Sequence, residues 1–183
     1  VEAHLNLGLA QARQGLQEEA VEAFRQAAAL DPASPEAHYN LGVALARQGR
    51  TREALQFFRQ AVRLKPEDAE AQSNLGMAYS QLGRLEDAVA AFRQAVRLRP
   101  DSARAFVNLG LTQARLGRTW EAIEALSRSA SLSPRNAEVR LSLGLLYLSA
   151  GDLASAEAQA EILKELDPER ARMLADRIRK KEP

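Results

Sequence analysis

The chain has 183 residues, 46% of them hydrophobic and 27% charged, and its formal charges nearly cancel at +1. So close a balance sets up no bulk field to draw nucleic acid or an acidic membrane. Cysteine is absent, which excludes disulfide frameworks and thiolate metal sites, and no apolar run reaches the length of a membrane span.

The first helical pattern carries Asn6-Leu7-Gly8. The triplet returns as Asn40-Leu41-Gly42, Asn74-Leu75-Gly76 and Asn108-Leu109-Gly110, then as Ser142-Leu143-Gly144. The step is thirty-four residues each time, so the chain reads as one two-helix unit copied five times, over 1–34, 35–68, 69–102, 103–136 and 137–170. All ten glycines fall at frame positions eight and fifteen, and five of the seven prolines (Pro32, Pro66, Pro100, Pro134 and Pro168) at thirty-two. The chain opens on Val1, in register with the repeat and without an initiator Met, which reads as an excised piece of a longer protein.

Within each unit the eighth residue, a Gly inside the first helix, costs about 1 kcal/mol relative to Ala. Close approach of the second helix is the expected compensation, with Ala20, Ala54, Ala88, Ala122 and Ala156 forming the other half of the contact. The fifteenth, again Gly, suits a left-handed turn between helices. Leu7, Val21, Phe24, Ala27 and Leu30 supply the helical apolar period. The Pro at thirty-two stops the second helix. Ser34, Asp68, Ser102 and Asn136 then stand where an N-cap is needed, and Pro35 suits a first helical position. After the fifth unit, residues 169–180 place Met173, Leu174 and Ile178 on one face. Residues 171–183 are therefore expected to form a capping helix and tail that cover the last repeat.

These positions resemble the tetratricopeptide repeat family over essentially the whole chain. Units two and three match best, through Leu41, Gly42, Leu45, Ala54, Phe58, Ala61 and Pro66, then Leu75, Gly76, Tyr79, Ala88, Phe92, Ala95 and Pro100. Unit one departs from the pattern at His4 and Gln11, unit four at Leu126 and Ser129, and unit five at Ala160 and Leu163. The resemblance implies an all-α fold: a right-handed superhelical solenoid of antiparallel helix pairs, five units plus a C-terminal capping helix. It also implies that the first helices line a concave groove.

The resemblance turns frame positions two, five, six, nine, twelve and thirteen toward that groove. Position five holds Leu5, Tyr39, Ser73, Val107 and Leu141, and position nine holds Leu9, Val43, Met77, Leu111 and Leu145. Such an apolar wall suits an extended segment or an amphipathic helix with aliphatic anchors. Position six holds Asn6, Asn40, Asn74 and Asn108. Asn is a poor helix-interior residue because its amide competes for the backbone, so four in register suggest a use. Each amide offers a donor and an acceptor, and a row of them can pair with the main chain of a bound peptide. The row is similar to the Asn ladder in the superhelical repeat domain of O-GlcNAc transferase. The alternative reading has each Asn bond backbone in the neighbouring repeat and hold the stack. Glu2, Glu36, Glu70 and Glu138 at position two face Arg13, Arg47 and Arg115 at thirteen. These rows either orient a partner or form partly solvated pairs worth about 0–1 kcal/mol.

Family members that clamp acidic chaperone tails need a Lys, two Asn and two further basic residues at set positions. This chain offers Tyr39, Val43, Asn74, Arg104 and Asn108 there, and only Asn74 and Arg104 fit. Arg59, Arg63, Lys65, Arg93, Arg97 and Arg99 lie on second helices without interleaved aromatics to stack bases, so nucleic acid is not the expected partner. His4 and His38 share a frame position and lack carboxylate company at ligand spacing, which favours packing over metal binding. Trp120 occupies an outward position and is a candidate contact to another subunit or domain. No nucleophile–base pair or glycine-rich phosphate loop can be assembled, so no catalytic residue, metal or cofactor is expected. The main reading is a non-enzymatic scaffold that binds an extended or helical peptide. The alternatives are a substrate-recruiting arm of a larger enzyme such as a glycosyltransferase, and a self-assembling oligomeric scaffold. The abundance of Ala, Arg and Leu fits a bacterial source.

Overall fold

The computed structural model describes residues 1–181; the last two residues of the expected C-terminal tail lie outside them. Every regular element among the described residues is a helix. The helices are α1 (Glu2–Arg13), α2 (Gln17–Leu30), α3 (Pro35–Arg47), α4 (Thr51–Leu64), α5 (Ala69–Gln81), α6 (Leu85–Leu98), α7 (Ala103–Arg115), α8 (Thr119–Leu132), α9 (Ala137–Ala150), α10 (Leu153–Leu166) and α11 (Pro168–Arg179). They group into two compact units, one running from Val1 to Leu98 and the second beginning at Arg99.

The helix ends follow from local chemistry. Gly49 has φ +75°, a conformation in which a Cβ is strained. It lets the Arg50 N–H reach back to the Leu45 carbonyl at 3.0 Å while the Gly49 N–H bonds Ala46 O at 3.0 Å, which satisfies two carbonyls of the last turn of α3. The other first helices end in the same way. At the N-termini, Ser34 Oγ accepts from the Ala37 N–H at 3.1 Å, and Asp68 Oδ1 accepts from Glu70 N at 2.9 Å and Ala71 N at 3.0 Å. Ser102 and Asn136 cap α7 and α9 likewise, so all four expected caps are in place.

A further anchor of the inter-repeat loop was not legible as such. The Pro at position thirty-two leaves a carbonyl beyond the helix end, and the residue at position four of the next unit donates to it in three of the joints. His38 Nε2 bonds Pro32 O at 2.9 Å, Gln72 Nε2 bonds Pro66 O at 3.1 Å, and Arg140 Nε bonds Pro134 O at 3.3 Å. His38 also stacks on Phe57, with ring centroids 6.2 Å apart. It is a packing residue whose ring nitrogen closes a turn.

In the first unit α1 packs on α2, α3 on α4 and α5 on α6, while α2 covers α3 and α4 covers α5. Leu41 and Leu45 are fully buried in this way beneath α2, whereas Leu7, which has no helix on that side among the described residues, is 48% exposed. The core runs through Val21, Phe24, Leu41, Leu45, Leu55 and Phe58. In the second unit Ile123, Leu126, Val139 and Leu143 form one cluster, and Leu163, Leu174 and Ile178 belong to another.

Two expectations need correction. The close contact of the first-helix Gly is made less by the Ala at position twenty than by the large residue at twenty-four: a Cβ on Gly42 would lie 2.8 Å from Phe58 Cδ1 and Cε1. The aromatic ring is wide enough to lie across the glycine, and Ala is not. The capping helix starts at Pro168, earlier than 171, because Asp167 caps it by accepting from the Arg170 N–H at 3.1 Å and Pro sits in its first turn. Its buried face is Ala171, Leu174 and Ile178, and Met173 points outward, 41% exposed. Ala171, Leu174 and Ile178 fall at helical spacings of three and four, and Met173 lies off that stripe.

Candidate functional site

The first helices of the first unit, α1, α3 and α5, lie side by side. Their spacing brings residues one repeat apart into reach. Of the expected wall, Leu5, Tyr39 and Val43 are half-buried and pack on the core beneath, Met77 is half-buried, and Leu9 is 39% exposed. Tyr39 leans on Phe58 with ring centroids 6.2 Å apart and a 52° interplanar angle. Asn6 is exposed, and Asn40 and Asn74 are half-buried. In the second unit Val107 is half-buried against its core, Leu111 is 39% exposed, and Asn108 keeps a buried Nδ2 without a partner.

The asparagines are not equivalent. Asn74 Nδ2 donates to Tyr39 Oη at 2.9 Å, a bond between first helices of adjacent repeats. Its partner is a side chain and not the neighbouring backbone. Asn40 makes no side-chain hydrogen bond among the described residues. Its counterpart to Tyr39, one repeat earlier, is Leu5, which has no polar atom to offer. Tyr39 and Asn74 each stood out in the sequence, but as separate wall residues. The signal that pairs them is a tyrosine at position five, long enough to reach the Asn at six one repeat later.

The electrostatics centre on Tyr39. Burial, then the nearby Glu70 carboxylate, push its phenol well above the usual range, and the charge of Asp68 adds to the effect. Among the described residues Arg13 and Arg47 form no ion pair with Glu2, Glu36 or Glu70. The opposite rows expected from the sequence therefore stay apart in this unit. Ion pairs of the first unit such as Arg50–Glu53 and Arg84–Asp87 run i to i+3, each at 2.7 Å. Arg115, in the second unit, is exposed.

Away from the first-helix wall, a cleft of about 460 Å³ opens between α4 and α5, lined by Gln56, Arg59, Gln60, Arg63, Leu75 and Tyr79. Tyr79, from α5, stands beside the arginines of α4. Its face is already taken: the Arg84 guanidinium lies 4.6 Å above the Tyr79 ring. Trp120 on α8 is 63% exposed. No helix among the described residues is long and apolar enough to cross a membrane.

Comparison with known proteins agrees with the helix-pair geometry. Tetratricopeptide repeat models match residues 5–69, and then 45–116 and 113–178. Among solved structures, MamA is 26% identical, with 90% of this chain and 96% of that chain covered and a TM-score of 0.84. TTC0263, a thermophilic TPR protein from Thermus thermophilus, is 28% identical over 97% of this chain and 98% of that one, with a TM-score of 0.64. YrrB, described as a TPR protein with an unusual peptide-binding site, is 21% identical over 97% and 90%, with a TM-score of 0.85; at that identity the likeness concerns the fold alone. The comparison with curated proteins returned no match. The repeat frame, the helix pairs and the extent of the family match together establish that the chain belongs to the tetratricopeptide repeat family, whose members are protein-interaction scaffolds.

Proposed function

We propose that the chain is a non-catalytic scaffold that takes an extended or helical peptide with aliphatic anchors along its first helices. In this reading the five repeats divide at 34, 68, 102 and 136, and the ligand meets Leu5, Leu9, Tyr39, Val43 and Met77 around Asn6, Asn40 and Asn74. In the second unit Val107, Asn108 and Leu111 play the same part. The observation that carries it is Asn40: a half-buried amide among half-buried apolar side chains, with its hydrogen-bonding capacity unspent. Each neutral hydrogen bond to a ligand adds roughly 0.5–1.5 kcal/mol, and each buried aliphatic anchor about 1.5–3 kcal/mol. The cost of ordering the peptide takes much of this back, so micromolar affinity and fast exchange are expected. The relative described as having a peptide-binding site lends the reading support.

The test begins with a twelve-residue peptide selected by display on the immobilised wild-type chain, its affinity measured by calorimetry. Changing Asn40 and Asn74 together to Ala weakens it severalfold while the circular dichroism spectrum is retained. Unchanged affinity in the folded double variant rejects the reading. The same scaffold is compatible with service as the recruiting arm of a larger enzyme. Self-association is favoured by a separate observation, the 63% exposure of Trp120. A sedimentation concentration series on wild type and Trp120→Ala decides it, and a strict monomer at high concentration ends that idea.

A further inference from the structure

The cleft between α4 and α5 has a charge pattern that the fold does not account for. Its α4 side carries Gln56 and Gln60, and Arg59 and Arg63, each pair one helical turn apart; Leu75 and Tyr79 of α5 line the other side. Among the described residues that line it, none is acidic. Arg59 and Arg63 are exposed and make no hydrogen bond or ion pair among the described residues. Like charges at this spacing repel. The helix dipole favours a cation in the last turn, which covers Arg63 and not Arg59. Other second helices avoid or relieve the conflict. On α2 the corresponding residues are Glu22, Arg25, Gln26 and Ala29, and on α8 they are Glu124, Ser127, Arg128 and Ser131. On α6 the Arg97 Nε donates to Gln94 Oε1 at 3.0 Å.

We propose that this cleft is a second recognition site, for an extended peptide segment with two carboxylates two residues apart. Residues four apart on a helix are separated by about 6 Å along its axis. Residues i and i+2 of an extended strand are separated by about 6.4–6.8 Å and point to the same side. A Glu-x-Glu segment therefore sets one carboxylate against each guanidinium, in a charge-assisted pair that the guanidinium fork suits. Gln56 and Gln60 offer carboxamides to the main chain of the segment, and Leu75, 7% exposed, gives the cleft an apolar floor. Arg84 does not compete for the anion: its guanidinium lies over the Tyr79 ring and pairs with Asp87 at 2.7 Å. The site stands apart from the first-helix wall and does not rest on the reading proposed for it.

The probes are two capped hexapeptides of equal charge, Ala-Glu-Ala-Glu-Ala-Ala and Ala-Ala-Glu-Glu-Ala-Ala. Each is titrated at low ionic strength into the isotope-labelled chain and followed by the amide resonances of α4 and α5. The first is expected to shift Arg59, Arg63 and Tyr79 and to bind about threefold tighter or more, because adjacent side chains of a strand point to opposite sides. Arg59→Gln and Arg63→Gln are each expected to weaken it about three- to tenfold and to erase the preference between the two peptides. Arg25→Gln removes the same charge from an exposed position of α2, and is expected to leave the affinity unchanged. So is the Asn40/Asn74 double variant. Equal binding of the two peptides, or a loss in Arg25→Gln that matches Arg59→Gln, shows attraction to net charge alone and overturns the proposal. Binding kept in both α4 variants and lost in the Asn40/Asn74 variant moves the acidic peptide to the first-helix wall and overturns it too. Resonances that neither peptide shifts overturn it while leaving the first-helix reading intact.

Discussion

Leu174 of α11 fills the space that a Cβ on Gly144 of α9 would need. In the first three repeats a phenylalanine at position twenty-four covers the corresponding glycine, and in the fourth Leu126 does so. The fifth repeat has Ala160 there, too small to cover Gly144. The capping helix therefore does more than shield an apolar end: it supplies the side chain that its repeat lacks.

Leu174→Ala is accordingly expected to destabilise the second unit by about 2–5 kcal/mol, the range for a leucine removed from a site that cannot collapse. Met173→Ala, one residue away and exposed, is expected to stay within about 0.5 kcal/mol of wild type. Urea unfolding of the two variants checks the pair, and similar losses in both would contradict the assigned face.

Gly42→Ala tests the glycine–ring contact in a way that changes sign. In wild type the added methyl meets Phe58 at 2.8 Å, and overpacking at about 1–3 kcal/mol outweighs the gain of about 1 kcal/mol in helix propensity. With Phe58 already changed to Ala the obstacle is gone, and Gly42→Ala is expected to stabilise. Chemical denaturation of the four members of the cycle gives the coupling, and the same sign in both backgrounds would show that the ring is not what excludes a side chain.

Tyr39 makes stability depend on alkaline pH. Its phenol loses a proton less readily in the folded chain than in the unfolded one, where the value is about 10. The folded state then holds a proton that the unfolded state has released, so the contribution is complete below about pH 10 and is lost as pH rises through the folded value. Tyr39→Phe has no such titration, and its thermal midpoint is expected to fall less steeply than that of wild type above about pH 10. Parallel curves would place the tyrosine in an ordinary aqueous setting.

The cap at the start of α5 carries two bonds on one oxygen, from Glu70 N and Ala71 N. Asp68→Ala is expected to cost about 1 kcal/mol, and Asp68→Asn far less because Asn caps as well as Asp does. Thermal denaturation separates the two, and equal losses would assign the effect to charge and not to the cap.

The repeat length, the helix ends and the family were open to reading in the chain alone. They rest on residues whose effect is local: a glycine at positive φ, a proline that cannot donate, a Ser or Asp one residue ahead of a helix. Such residues act within a few positions of themselves, and their recurrence every thirty-four residues makes the pattern unmistakable. Only the tertiary structure decided which side chains from different repeats meet. Tyr39 and Asn74, Gly144 and Leu174, and His38 with the Pro32 carbonyl all depend on how far one helix pair is displaced against its neighbour and which rotamer the packing leaves open. For the same reason the four asparagines, identical in register, end in different states. The hydroxyl that meets Asn74 comes from the adjacent helix, and where Leu5 stands in place of Tyr39 there is no hydroxyl to meet Asn40.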